Sequence, residues 1–501
     1  MLGGLVGSTG LDLFTHLASQ GAMIQRLSSD SRGCAPGVAF FAYPGETADG
    51  RTYIGDAIHR GAAAVLWETS GFVWRPEWDV PNVGVSGLKQ RAGTLAHQFY
   101  GRPSESMWVC GVTGTNGKTS CTQWLAALLC AHGDKAAVIG TLGGGFPGAL
   151  SAPANTTPDA LELHATLAAM RREGARALAM EVSSHGLAQG RVNGVVFDCA
   201  LFTNLSHDHL DYHGSMELYA EAKGLLFDAP GLATAVLNLD DVLGVQLAQR
   251  LAARGVRTIG YALSPAAIAP GSVSEFVAAR EIAFEGDAMR VLLASSWGEA
   301  QARIDQIGRF NVSNALGVLG CLVAFGIDFN EAAGLLGALP AVPGRMQRIV
   351  RAGRPLVVVD YAHTPDALEK VLQALRPLAD ARGGALVAVF GAGGERDSAK
   401  RPLMGAIASR LADRVVLTSD NPRGEQPGSI IEAIHAGASR VHRIEPDRAA
   451  AIERAVLEAS ADDVVLLAGK GHETYQEVAG RRLPFSDAGA ARAALERWRA
   501  R

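Results

Sequence analysis

Residues 107–133 read MWVCGVTGTNGKTSCTQWLAALLCAHG: an apolar run, a glycine-rich break, then helical apolar spacing that ends at Gly133. A strand that turns through such a loop into a helix aims successive backbone N–H groups at one point. The helix N-terminus adds its partial positive charge there, so the turn is suited to an anion. Lys118 would reach terminal phosphates and the Thr119 hydroxyl would ligate Mg²⁺, with Gly114, Thr115, Asn116 and Gly117 cradling the nucleotide. The generic phosphate loop, G-x-x-x-x-G-K-[ST], has glycine at its first position, whereas Val112 stands there in this chain. An ordinary glycine-rich βα turn is the alternative reading.

The rest of the chain repeats the same alternation. AFFAYPG and AAAVLWE read as strands in the first part, then AAVIGT, ALAMEV, DCALFTNL and TAVLNLD, and finally PLVVVD, ALVAVFG, RVVLTSD and DVVLLAG. Helical patterns separate most of them, which predicts α/β architecture with mostly parallel sheets. Loop chemistry near Arg102-Pro103 and Pro343-Gly344 divides the 501 residues into three expected domains: 1–103, a small α/β domain; 104–341, a central phosphate-loop domain; and 342–501, a Rossmann-like, doubly wound domain. A net charge of -4 provides no footprint for nucleic acid or an anionic membrane. Six scattered cysteines without a C-x-x-C pair suggest reduced thiols. The opening MLGGLVGSTGLDLF lacks the pattern of a signal peptide, and no apolar run is long enough to span a bilayer. The expectation is a cytoplasmic enzyme, without nucleic-acid partners or membrane insertion.

In open α/β sheets, ligands bind outside the carboxyl ends of the strands. Glu181 ends ALAMEV, where a carboxylate can hold a hard cation or simply serve as a cap or ion-pair partner. The next strand leads into TNLSHDHLDYHG, which crowds His207, Asp208, His209, Asp211 and His213 together. No neighbouring cysteine supports zinc. Lys223 shares a helical face with Tyr219, Leu226 and Phe227. Its periodicity favours an apolar stem on the core with the ammonium in water. The other reading is a desolvated amine, neutral often enough to form a carbamate with CO₂. Asp360 ends PLVVVD, while Asn314 and Arg345 lie near the second boundary. Arg423, with Asp420 and Asn421, could recognise a zwitterion: the guanidinium fork suits a carboxylate, and Asp and Asn accept from an ammonium.

Taken together, G-V-T-G-T-N-G-K-T, NTTPD, MEVSSHGL, FTNLSHDHLDYHG, EAK, FNVSN, PGRM, VDYAHTPDALEK, GGERD, DNPR and AGKGHETYQ resemble the Mur ligases, the ATP-dependent amino-acid-adding enzymes of peptidoglycan precursor synthesis. The resemblance runs over essentially the whole chain, is weakest in the first 25 residues, and points to members that add the third residue. It implies that Ser31 contacts the uridine nucleotide of UDP-N-acetylmuramoyl-L-alanyl-D-glutamate. Thr156, Thr157, Ser183, Gln189 and Arg191 would hold the muramoyl dipeptide. Lys118 and Thr119 would serve ATP and Mg²⁺, with Glu181, His209 and a carbamylated Lys223 as further metal ligands. Asn314, Arg345 and Asp360 would contact ATP. Arg401, Asp420, Asn421, Arg423, Gly469 and Glu473 would bind the incoming amino acid, and DNPR points to meso-2,6-diaminopimelate. A monomer is the expectation for the chain's oligomeric state. Folylpolyglutamate synthetase, a related ligase, lacks the uridine-nucleotide domain that DSR and ADGRTYI suggest, and a P-loop switch would hydrolyse nucleotide without an amino acid.

Overall fold

The computed structural model describes residues 10–151, 155–285 and 288–500. Most of the opening stretch read for a signal peptide, and the start of the weakly matching N-terminus, therefore lie outside the described residues. The chain packs as two compact units. One takes the described residues up to Thr113, with His132–Leu201 and Ala222–Ala235; the other takes Gly114–Ala131, Phe202–Glu221 and the described residues from Val236 onward.

In the first unit, four short parallel strands, Arg26–Ser28, Val38–Ala42, Ala64–Glu68 and Asn82–Val85, form one sheet in chain order. A second set runs in the order Cys199–Phe202, Trp108–Thr113, Ala177–Glu181, Ala136–Gly140, Gly143–Phe146 and Ala149–Ser151. Trp108–Thr113 and Ala136–Gly140 both flank Ala177–Glu181 in parallel, and every residue of Ala177–Glu181 is buried. Burial on both faces explains why ALAME is continuously apolar until its last residue. The carboxylate of Glu181 is thus placed at the strand's carboxyl end.

In the second unit, the sheet order Gln347–Ile349, Leu356–Asp360, Val464–Ala468, Leu386–Phe390, Arg414–Leu417 and Arg443–Ile444 brings the last long strand between two earlier ones. Val358, Phe390 and Leu466 pack on one side with helix residues Leu368 and Leu372. Val357, Val359 and Leu467 pack on the other with Ile452 and Leu495. Helices on both faces of a mainly parallel sheet make this the doubly wound arrangement read from the sequence. The loops after Asp360, Phe390, Leu417 and Ala468 consequently gather at one edge. The unit also carries an antiparallel addition, Glu275–Glu285 with Ala288–Ser295 and Ala288–Ser295 with Gly298–Ile304, which the sequence reading did not anticipate. Among the described residues no helix is long and apolar enough to cross a membrane.

Two histidines are buried in the first unit, His97 on helix Leu88–Phe99 and His164 on helix Ala160–Arg172. His164 Nε2 donates to the carbonyl of Asn193 at 3.0 Å, and His97 Nε2 faces the Glu105 carboxylate at 3.3 Å. Neither Nδ1 has a hydrogen-bond partner among the described residues. Burial, assisted by His97 but opposed by the Asn193 contact, lowers the pKa of His164 from 6.5 to about 4. Below pH 6.5 the unfolded chain takes up a proton that the fold refuses, so stability falls as pH drops from 6.5 toward 4. The expected loss is about 3 kcal/mol. Urea unfolding across this window should show a flatter pH profile for His164→Gln than for the wild type. Equal slopes would count against this assignment.

Candidate active site

The phosphate-type loop is held by the loop after Cys199–Phe202, within the second unit. Thr115 N donates to Asn204 O at 2.8 Å and Asn116 N to Asn204 Oδ1 at 3.0 Å. In return, Thr203 Oγ1 donates to Asn116 O at 2.6 Å, and Ser206 N donates to Thr115 Oγ1 at 3.0 Å. Lys118 opens the helix Lys118–His132, and its Nζ donates to the Gly114 and Thr115 carbonyls at 2.7 and 2.9 Å. The ammonium therefore stands over the loop that it follows. The glycines are required by close approach: a Cβ on Gly114 would meet Thr203 Oγ1 at 1.9 Å, and one on Gly117 would meet Asn314 Oδ1 at 2.4 Å.

Asn314, buried on helix Arg309–Phe325, is thereby packed against the loop. Arg345 donates through Nη2 to the buried Thr119 hydroxyl at 3.1 Å, and its guanidinium lies 4.5 Å from the Tyr361 ring centroid. Burial raises the pKa of Asp360, against the Met346 N–H at 2.7 Å, the charge of Arg345 and the Ala362 N–H at 2.8 Å. The structure thus brings Lys118, Thr119, Asn314 and Arg345 together at one loop, with Asp360 near Arg345 and held by the Met346 and Ala362 amides. Tyr361, which the sequence reading passed over, orients the arginine.

The histidine-rich stretch does not converge as its density suggested. His207 and Asp211 are exposed, whereas His213 is buried with its ring 5.0 Å from that of Tyr219. His209 adopts φ 56° and keeps Nε2 3.4 Å from Asp208 Oδ2. Burial opposes ionisation of Asp208, but His363, His209 and Lys400 outweigh it and lower its pKa.

In the first unit, the residues expected to hold the dipeptide form a hydrogen-bonded network. Thr157 Oγ1 donates to Glu181 O at 3.0 Å and lies 3.2 Å from Ser183 Oγ. Arg191 donates to Thr157 O at 2.9 Å and to Gln189 Oε1 at 2.8 Å, and Gln189 donates to Glu46 at 2.8 Å. Thr156 Oγ1 is 3.1 Å from Thr141 Oγ1, which in turn donates to Glu181 Oε2 at 3.0 Å. Thr141 was missed, although it follows Ala136–Gly140 at the same carboxyl edge. Ser31 is engaged elsewhere, its hydroxyl donating to Asp56 Oδ2 at 3.1 Å. Lys223 is 1% exposed. The snorkelling reading is thus corrected: this helix face is covered to its end and the amine does not reach water.

The second unit supplies the last group at its gathered loops. Arg401 donates to Gly393 O at 3.3 Å and pairs with Glu425 at 2.8 Å; Arg423 donates to Gly394 O at 2.5 Å and lies 3.7 Å from Glu477. Two guanidiniums therefore flank one turn. Asn421 Oδ1 accepts from Lys470 Nζ at 2.8 Å and Glu477 N at 3.0 Å, while its Nδ2 donates to Glu473 at 2.8 Å. With both acceptor sites used, Asn421 orients Glu473 rather than offering an acceptor itself. Lys470, fully buried, also donates to Glu473 at 2.8 Å. Its importance was not legible because burial of one lysine in GKGHE is a tertiary property. Gly469 leaves room for Asp420, whose Oδ2 a Cβ there would meet at 2.4 Å.

Comparison with known proteins places this geometry. Residues 23–100 match the model described as Mur ligase family, catalytic domain; residues 112–322 match the Mur ligase middle domain; and residues 344–471 match the Mur ligase glutamate ligase domain. The chain is 51% identical over 479 residues to a UDP-N-acetylmuramoyl-L-alanyl-D-glutamate--2,6-diaminopimelate ligase from Janthinobacterium sp. (strain Marseille), covering 94% of each. A ligase of the same name from Pseudomonas aeruginosa is 49% identical, with 96% of this chain and 97% of that one covered. A solved structure with that ligase name superposes with TM-score 0.67 at 36% identity, covering 95% of both chains. The fold extends to a MurF ligase from Thermotoga maritima in complex with ADP, at TM-score 0.66 and 18% identity, covering 95% of this chain and 98% of that one. Matches that take in all three parts of the chain, at this identity and over nearly its full length, establish that it belongs to the Mur ligase family.

Proposed function

We propose that the protein is an ATP-dependent ligase that adds meso-2,6-diaminopimelate to UDP-N-acetylmuramoyl-L-alanyl-D-glutamate. The observation that carries this reading is the pairing of a lysine-capped phosphate loop, flanked by Asn314 and Arg345, with two arginines on the Gly393–Gly394 turn. The near-full-length relatives named for that reaction support it. The domain borders 1–103, 104–341 and 342–501, a monomeric state and a cytoplasmic setting belong to the same proposal.

The γ-carboxylate of the D-glutamyl residue attacks the γ-phosphorus of ATP, ADP leaves, and an acyl phosphate forms. Transfer of this kind depends on positioning and charge neutralisation more than on covalent help from the protein. Lys118 and Arg345 supply the fixed positive charge, and Asn314 and Gly117 shape the loop. The diaminopimelate amine then attacks the acyl carbonyl and loses a proton, and the tetrahedral intermediate expels phosphate to leave the amide. Mg²⁺, when bound, would neutralise phosphate oxygens. Thr119, Glu181 and a carbamylated Lys223 would hold it through hydroxyl, carboxylate and carbamate oxygens, the donors that a hard cation prefers, and His209 would add an imidazole nitrogen.

Diaminopimelate differs from lysine by a second carboxylate at its distal end. Arg401 and Arg423 offer it charge-assisted, bidentate partners. Phosphate release with the UDP-muramoyl dipeptide should therefore be much faster with meso-diaminopimelate than with L-lysine, and equal rates would overturn the substrate assignment. Arg423→Lys should raise KM for diaminopimelate about tenfold or more while leaving KM for ATP unchanged.

A further inference from the structure

Glu181 is 1% exposed, and among the described residues both hydrogen bonds to its carboxylate come from one residue. Thr141 N donates to Oε1 at 2.8 Å and Thr141 Oγ1 to Oε2 at 3.0 Å. The preceding residue makes this possible, because a Cβ on Gly140 would lie 2.3 Å from Glu181 Oε1. The carboxylate therefore lies against the backbone with both oxygens fixed. A hydroxyl has a single proton. With that proton given to Glu181, Thr141 Oγ1 can only accept from Thr156, whose Oγ1 is 3.1 Å away. The direction of the chain is thereby set: Thr156 donates to Thr141, and Thr141 to Glu181.

We propose that Thr141 is a positioning residue that sets the orientation of the Glu181 carboxylate toward a divalent cation and couples it to Thr156 on the dipeptide-holding segment. This rests on the reading of Glu181 as a metal ligand. Hydrogen bonds to a ligating carboxylate fix its orientation, and their loss typically weakens metal binding about 10–100-fold. Thr141→Val keeps the β-branched shape and the backbone donor but removes the hydroxyl; Thr141→Ser keeps the hydroxyl.

The test uses the full chain with a non-hydrolysable ATP analogue and the UDP-muramoyl dipeptide. Mn²⁺ binding is followed by electron paramagnetic resonance, alongside the melting temperature without ligands. Thr141→Val is expected to weaken Mn²⁺ binding about tenfold or more, Thr141→Ser to stay within about threefold of wild type, and Glu181→Gln to lose the site. Wild-type affinity in Thr141→Val, or equal damage in Thr141→Ser and Thr141→Val, would overturn the assignment. If Glu181→Gln binds Mn²⁺ like the wild type, Glu181 is not a ligand and both readings fall. If Glu181→Gln loses the site while Thr141→Val retains it, the role of Thr141 alone falls. Should Thr141→Val melt too low to measure, Thr141→Ser decides: weakened binding with an unchanged melting temperature overturns the proposal, and retained binding supports it.

Discussion

Replacing Asp487 with alanine is expected to destabilise the protein by about 3–5 kcal/mol, because it strands a buried guanidinium. Arg448 and Asp487 both have side chains that are 0% exposed, and they meet through two hydrogen bonds of 2.8 and 2.7 Å. The same guanidinium donates to Ser419 O at 3.2 Å and Ala468 O at 2.9 Å. Those carbonyls stand immediately before Asp420-Asn421 and before Gly469-Lys470, so the ion pair pins the two strand ends that carry the amino-acid loops. Urea unfolding of Asp487→Ala should show the loss directly. A double replacement, Arg448→Met with Asp487→Leu, should recover much of it, since removing both charges leaves none unpaired. A loss under about 1 kcal/mol in the single variant would mean that water or another anion relieves the arginine.

Lys118→Met is expected to lower kcat by about 10²–10³-fold, the range found when one fixed donor to developing charge is removed. Methionine keeps most of the apolar stem, and the loop retains its bonds to Thr203, Asn204 and Ser206, so the fold should be nearly unchanged. Single-turnover phosphate release with saturating ATP and dipeptide would separate this from weaker nucleotide binding. A kcat within tenfold of the wild type would reject the role assigned to the ammonium.

Much of the fold was legible because its buried strands are continuous apolar runs, several of them closed by a polar residue. PLVVVD, ALAMEV and MWVCGV needed only the rule that ligands gather at carboxyl ends. The antiparallel addition at 275–304 was readable in principle, since the turn-forming pair Gly286-Asp287 stands between the apolar stretches of REIAFE and RVLLAS, but parallel units dominated the reading. Lys223 was placed on the right face and given the wrong environment. Periodicity reports which way a side chain points, not whether another element closes over it. Asn421 and Lys470 were opaque for a related reason, as their partners Glu473 and Glu477 lie dozens of residues away or on the far side of a turn. Thr141 required only attention to the next strand along the same edge.

The stitching of the phosphate-type loop to Thr203, Asn204 and Ser206 has a genetic consequence. The loop's shape is already set by side-chain and backbone bonds from the loop after Cys199–Phe202, so nucleotide binding need not freeze it, and little ordering entropy opposes capture. Substitutions at those three positions would loosen the loop without needing to touch the nucleotide themselves. In a screen for altered ATP dependence they would score alongside changes in TGTNGKT, and suppressors of one stretch would be sought in the other.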